Sequence, residues 1–122
     1  KQPVFTRHQV NASENILAGD FVNVWNNGGT ANVRRADATN PARFANGYSL
    51  VAINATFAGV VKAIGCNTSI SPLVAGFVWL SETVIGGYQA TAPVAAGSTI
   101  HPLGFGVPTQ GIFYTPQLGI LI

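Results

Sequence analysis

The chain has 122 residues, with six Lys or Arg against four Asp or Glu and a net charge of +2. That length allows one domain with a core that needs no disulfides, and so weak a charge does not suggest the clustered basic surface of a nucleic-acid binder. Charged residues make up only 8% of the chain, where about 25% is usual for a soluble domain, so much of the surface is expected to be hidden in an assembly.

Lys1 to Asn15 is polar and lacks clean periodicity. Val4, Thr6, His8 and Val10 alternate, but such a stretch forms a strand only beside a partner, so residues 1–15 read as an extended N-terminal arm. Lys1 to Leu17 has no apolar h-region, so no secretory signal is expected and the sequons at Asn11, Asn54 and Asn67 read as chance. From Ile16 to Ile122 the punctuation is all-β and reads as one domain.

Phe21 to Trp25 alternates, with Val22 and Val24 on one face and Phe21, Asn23 and Trp25 on the other. Asn26-Asn27-Gly28-Gly29 tolerates positive φ and turns the chain into a return strand, Ala31 to Ala36. Pro41 closes a loop, and Asn46-Gly47 is a second turn signal. Tyr48 to Asn54 is apolar on both faces, as a fully buried strand would be, and Phe57 to Ile64 follows it. Leu50 to Gly65 is interrupted by Asn54, Thr56 and Lys62 and is too short for a membrane span, so no membrane partner is expected.

Gly65 to Pro72 reads as a loop and Gly76 to Ser81 as a strand. Gly86-Gly87 turns the chain into Tyr88 to Thr91. Ser98 to Phe105, Ile112 to Tyr114 and Leu118 to Ile122 are further strands. Short strands with turns every 8–12 residues predict an all-β fold, a sandwich or small barrel. Phe21–Trp25 and Phe77–Leu80 carry large apolar groups on both faces. A small barrel has one interior, so the second face needs a neighbour or stays exposed as an interface. Low charge and two-faced strands together predict a homotrimer, with a dimer as the second choice.

Catalysis is hard to seat. The four carboxylates, Glu14, Asp20, Asp37 and Glu82, show no acid–base pairing, and Asp20 beside Gly19 reads as a turn residue. His8 and His101 are far apart without ligand neighbours, so no metal or other cofactor is expected. Cys66, the single cysteine, cannot form an internal disulfide, and nothing marks it as activated for attack with His101 as base. No phosphate-loop, nucleophile-elbow or dinucleotide motif occurs, and Gly104-Phe105-Gly106 reads as a bend.

Half of the basic residues, Arg34, Arg35 and Arg43, lie within ten positions. With Phe44 nearby they could touch a phosphate or a base. They could also be a solvated loop with Asp37 as local partner, or a protein contact. Low charge elsewhere favours the protein contact, because Arg is enriched at interfaces. Arg34, Arg35, Asp37 and Arg43, with Trp25, are therefore the expected protein-interface residues.

The order "ILAGDFVNVW", "ANVRRADATN", "ANGY", continuing through "GCNTSISPLVAGFVWLSETVIGGYQATAPVAAGSTIHPLGFG", resembles the capsid decoration (cement) proteins of tailed bacteriophages. The likeness runs from about Ile16 to the C-terminus and leaves Lys1 to Asn15 unmatched. It implies a small β-barrel or β-tulip-like subunit, assembled in the host cytoplasm and carried on the outer capsid surface of the virion. It further implies a structural protein, not an enzyme, that binds the major capsid protein, commonly as a trimer at local threefold positions, and reinforces the shell. The alternative from another class is a β-sandwich carbohydrate-binding or host-attachment module using Trp25, Trp79 or Tyr88.

Overall fold

The computed structural model of the chain describes residues 7–72, 75–115 and 120–121. It is all-β, with one 3-10 turn at Pro41–Arg43. The first half rolls into a closed barrel of five strands: β1 (Arg7–Ala12), β2 (Phe21–Asn27), β3 (Thr30–Arg35), β4 (Gly47–Tyr48) and β5 (Ala58–Lys62), in the order β1-β3-β2-β4-β5. The second half forms an antiparallel sheet of β6 (Gly65–Asn67), β7 (Gly76–Leu80), β8 (Tyr88–Gln89), β10 (Pro102–Val107) and β11 (Gly111–Tyr114), in the order β6-β11-β10-β7-β8. A short pair joins β9 (Thr99–Ile100) to β12 (Ile120–Leu121).

The boundary between arm and barrel at residue 16 needs correction. β1 is a stave of the barrel, antiparallel to β5 over five positions and parallel to β3 at Asn11–Asn32 and Ala12–Val33. Val10 and Ala12 point inward and are buried, whereas Gln9 and Asn11 are exposed. The segment is too polar to fold alone, but its partners lie twenty and fifty residues downstream. Lys1 to Thr6, the rest of the expected arm, lie outside the described residues.

Two cores explain the two-faced strands. Inside the barrel, Val10, Ala12, Ile16, Val22, Val33, Ile53 and Val61 pack together. On the other side, Phe21, Ala36, Ala45 and Tyr48 pack against Val78, Leu80, Leu103, Ile112 and Tyr114 of the second sheet. The rings of Phe21, Tyr48 and Tyr114 meet at centroid distances of 5.6–6.4 Å, two pairs tilted and the Tyr48–Tyr114 pair edge to face, the last a geometry that aromatic quadrupoles favour. The cover for β2's second face is thus the chain's own C-terminal half.

Two further expectations are corrected. Tyr48 to Asn54 is not a continuous buried strand. Only Gly47–Tyr48 pairs, Ser49 Oγ donates to Val51 O at 2.6 Å and bends the chain, and Val51 is 57% exposed. Ile53 rejoins the barrel by a single bridge to Ile16. Gly65 to Pro72 is not wholly loop, since Gly65–Asn67 is the edge strand β6 on β11. Asn67 is buried and its amide donates to Gly19 O at 2.9 Å, tying the second sheet to the barrel.

Candidate interaction surfaces

The β2–β3 hairpin carries the predicted arginine cluster. Strand alternation sends Arg34 and Arg35 to opposite faces, so they do not form one patch. Arg34 lies opposite Asn23 in the ladder. Its Nε donates to Asn23 Oδ1 at 2.9 Å, its Nη2 to Ala42 O at 3.1 Å, and its Cζ sits 4.7 Å from the Trp25 ring centroid. That is cation–π distance, and it leaves Trp25 half-buried beneath an arginine.

Arg35 and Arg43 converge on Glu14, which sequence reasoning did not pair with them. Glu14 Oε2 accepts from Arg35 N at 2.8 Å and from Arg43 Nη2 at 2.9 Å, with Arg35 Nε at 3.8 Å. Asp37, the expected partner, instead accepts from Thr39 N and Thr39 Oγ1 and shapes its own turn. Glu14 follows β1, and the parallel pairing of β1 with β3 brings it beside Arg35. No local spacing in the sequence signals that approach. The five predicted interface residues are therefore held mainly by contacts within the chain.

The larger unpartnered surface lies on the outer face of the second sheet. Phe77, Phe105 and Phe113 stand in one row across β7, β10 and β11, because Phe105 registers with both of the others. They are 69%, 42% and 44% exposed. Phe77 and Phe105 meet edge to face at 5.4 Å. Cys66 extends the row opposite Phe113, half-buried, with Sγ 3.9 Å from Gln110 O. Trp79, Pro102 and Thr115 complete the lining of a cleft of about 430 Å³, which has no charged side chain in its walls.

A β-bulge builds this row. Pro102 registers with Trp79 but Gly104 with Val78, so β10 has one extra residue. Across a bulge two successive residues share a face. Leu103 can then enter the core at 0% exposure while Phe105, two positions on, points out. Gly104 sits at φ 145°, and a Cβ there would collide with Phe113 O. Gly104-Phe105-Gly106, read from the sequence as a bend, is instead strand paired on both sides, and the irregularity falls just before it, between Pro102 and Gly104. Sequence inspection missed Phe105 and Phe113 because their common face depends on register.

Asp20 and His101 each hold a backbone group. Asp20 caps the turn it was expected to set, with Oδ2 accepting from Leu17 N at 2.8 Å. Burial pushes its carboxyl from the ordinary 3.8 up to about 6, against the opposing pull of the Leu17 N–H and Arg35. Gly86 closes over it, bonding Phe21 N and Ala36 O, and so docks the second half onto the barrel end. His101 is buried with Nε2 3.0 Å from Ala45 O, and burial lowers its pKa. Cys66 and His101 share no hydrogen bond. Among the described residues no group of three His, Cys, Asp or Glu is placed to hold a metal ion. Trp25, Trp79 and Tyr88 do not converge: Trp25 is on the barrel under Arg34, Trp79 faces the cleft, and Tyr88 packs against the core between the two halves.

No known protein family, curated protein or solved structure matches this chain.

Proposed function

We propose that this protein is a capsid decoration subunit, a structural protein that binds the outer surface of an icosahedral phage head and stabilises the lattice of the major capsid protein. The observation that carries the reading is the row Phe77–Phe105–Phe113 on an uncharged outer sheet face. Three exposed phenylalanines in register form a contiguous apolar surface, and such surfaces mark sites of protein association. Their central, rigid aromatic character suits the anchors that dominate interface energetics. The sequence resemblance supplies the partner. The arginines, engaged within the chain by Glu14, Asn23, Ala42 and the Trp25 ring, take a secondary role.

The test uses Phe105→Asp and Phe113→Asp, both outward-facing changes that leave the two cores intact. Purified heads of the parent phage, stripped of this subunit, are incubated with each variant and sedimented. Occupancy is expected to fall by at least about tenfold, because losing a central anchor costs on the order of 2 kcal/mol. Full occupancy by folded variants would remove the row from the interface. Binding of the unmutated protein to a glycan array but not to heads would favour the carbohydrate-binding reading.

A further inference from the structure

The chain contains two Asn-Gly steps, Asn27-Gly28 and Asn46-Gly47, and the fold treats them in opposite ways. We propose that Asn27 is a spontaneous modification site, at which the folded protein loses the side-chain amide and accumulates isoaspartate, while Asn46 is protected by its hydrogen bonds.

Asn27 ends β2 at the hairpin tip and is exposed. Its side chain has no hydrogen bond among the described residues; the neighbouring Asn26 Oδ1 is the one that accepts from Gly29 N, at 2.8 Å. Gly28 and Gly29 occupy the two central turn positions at φ 62° and 95°, between the paired residues Asn27 and Thr30. In such a two-residue turn the first central N–H has no ladder partner. A Cβ at Gly28 would have nothing within 4 Å, so the tip is open on the side of that residue where a side chain would stand. Gly28 N, after losing its proton to water or hydroxide, can attack Asn27 Cγ. The Cγ–Nδ2 bond breaks, ammonia leaves, and a succinimide ring closes. Water then opens either ring carbonyl, giving aspartate or isoaspartate. Water is the only co-reactant, and nothing is oxidised or reduced.

Asn46 has the same chemistry available and cannot reach it. Its Oδ1 accepts from Val24 N at 2.7 Å and its Nδ2 donates to Val24 O at 3.0 Å, so the amide completes the sheet as a backbone group would. Gly47 is buried in register with Val22, with Lys62 O 2.9 Å from where a Cβ would stand. Ring closure there requires β4 to leave β2. At Asn27 the product also has a consequence: isoaspartate adds a methylene to the backbone and a negative charge beside the turn, which breaks the two-residue geometry of the tip.

The folded protein is incubated at 37 °C and mildly alkaline pH, then cut with trypsin, which places Asn27 in the peptide His8–Arg34 and Asn46 in Phe44–Lys62. Mass spectrometry with fragmentation reads amide loss at each. In the native state Asn27 is expected to react roughly tenfold faster or more, the ratio that a local opening free energy of about 1.4 kcal/mol at Asn46 imposes. In denaturant the two rates should converge. Asn27→Gln should abolish the fast modification and leave the slow one. Equal native rates at the two sites, or an Asn27 amide that persists in the native protein while reacting in denaturant, would overturn the proposal.

Discussion

Asp20 illustrates how a residue with a local role acquires a global one. Its capping bond to Leu17 is local, but Gly86 from the second half seals it from water, and that burial raises its pKa to about 6. A carboxyl with a raised folded pKa holds its proton in the native state where the unfolded chain has lost it. Its contribution is present below about pH 4 and is lost as pH rises to about 6. Asp20→Asn keeps the acceptor for Leu17 N and removes the buried charge. The variant is expected to be more stable than the unmutated protein at pH 8, by on the order of 2 kcal/mol, and the gain should vanish near pH 4. Thermal melts across that range check it. His101 acts in the opposite direction. Its lowered pKa means the unfolded chain binds the proton first, so its contribution weakens as pH falls below the ordinary histidine range. Tyr114 offers a second test. Its hydroxyl is buried without a partner among the described residues. Tyr114→Phe keeps the ring against Phe21 and Tyr48 and should raise stability by about 1 kcal/mol, read from the denaturation midpoint.

At the scale of elements, β1 and the β10 bulge carry the clearest consequences. β1 closes the barrel, so a chain beginning at Ser13 would expose the edges of β3 and β5 and open the core around Val10 and Ala12. The expected outcome is loss of cooperative unfolding, followed by circular dichroism, in place of the mild effect that removing a free arm would have. The bulge depends on a backbone that only glycine adopts comfortably. Gly104→Ala meets both a φ of 145° and the Phe113 carbonyl. It should cost on the order of 3 kcal/mol, measured by chemical denaturation, and should also disturb the exposed Phe105. The hairpin of β2 and β3 was legible because its signals are local: alternation, then Asn26 to Gly29. β4 and β6 were not, because each is only two or three residues long. Their strand character comes from β2 and β11 lying alongside.

For the whole molecule, shortage of charge and two-faced strands were the grounds for expecting a trimer. The second sheet now accounts for Phe21 and Tyr48 within one chain, so the remaining pressure toward assembly rests on the phenylalanine row and on exposed apolar residues such as Val94, at 84% exposure. A trimer remains the expected state in solution, checked by light scattering at micromolar concentration; a stable monomer would leave the row free for a shell alone. If the subunit binds assembled heads and not their dissociated parts, it stabilises them by mass action. The gain is about 2.7 kcal/mol per site at a hundredfold excess over Kd. The temperature at which heads release DNA should therefore rise with occupancy.

The class of fold is legible in the chain alone, since strand alternation and turn chemistry are properties of neighbouring residues. So is the scarcity of charge and its concentration around Arg34 to Arg43. Which carboxylate met those arginines, which phenylalanines shared a face, and what covered the second side of β2 were decided by the tertiary structure. Glu14 reaches Arg35 only through the parallel pairing of β1 with β3. Phe77, Phe105 and Phe113 align only because β7, β10 and β11 pair in one register. Pairing between distant strands is set by which arrangement buries the most apolar surface without stranding backbone groups, and that is a property of the closed chain, not of any segment in it.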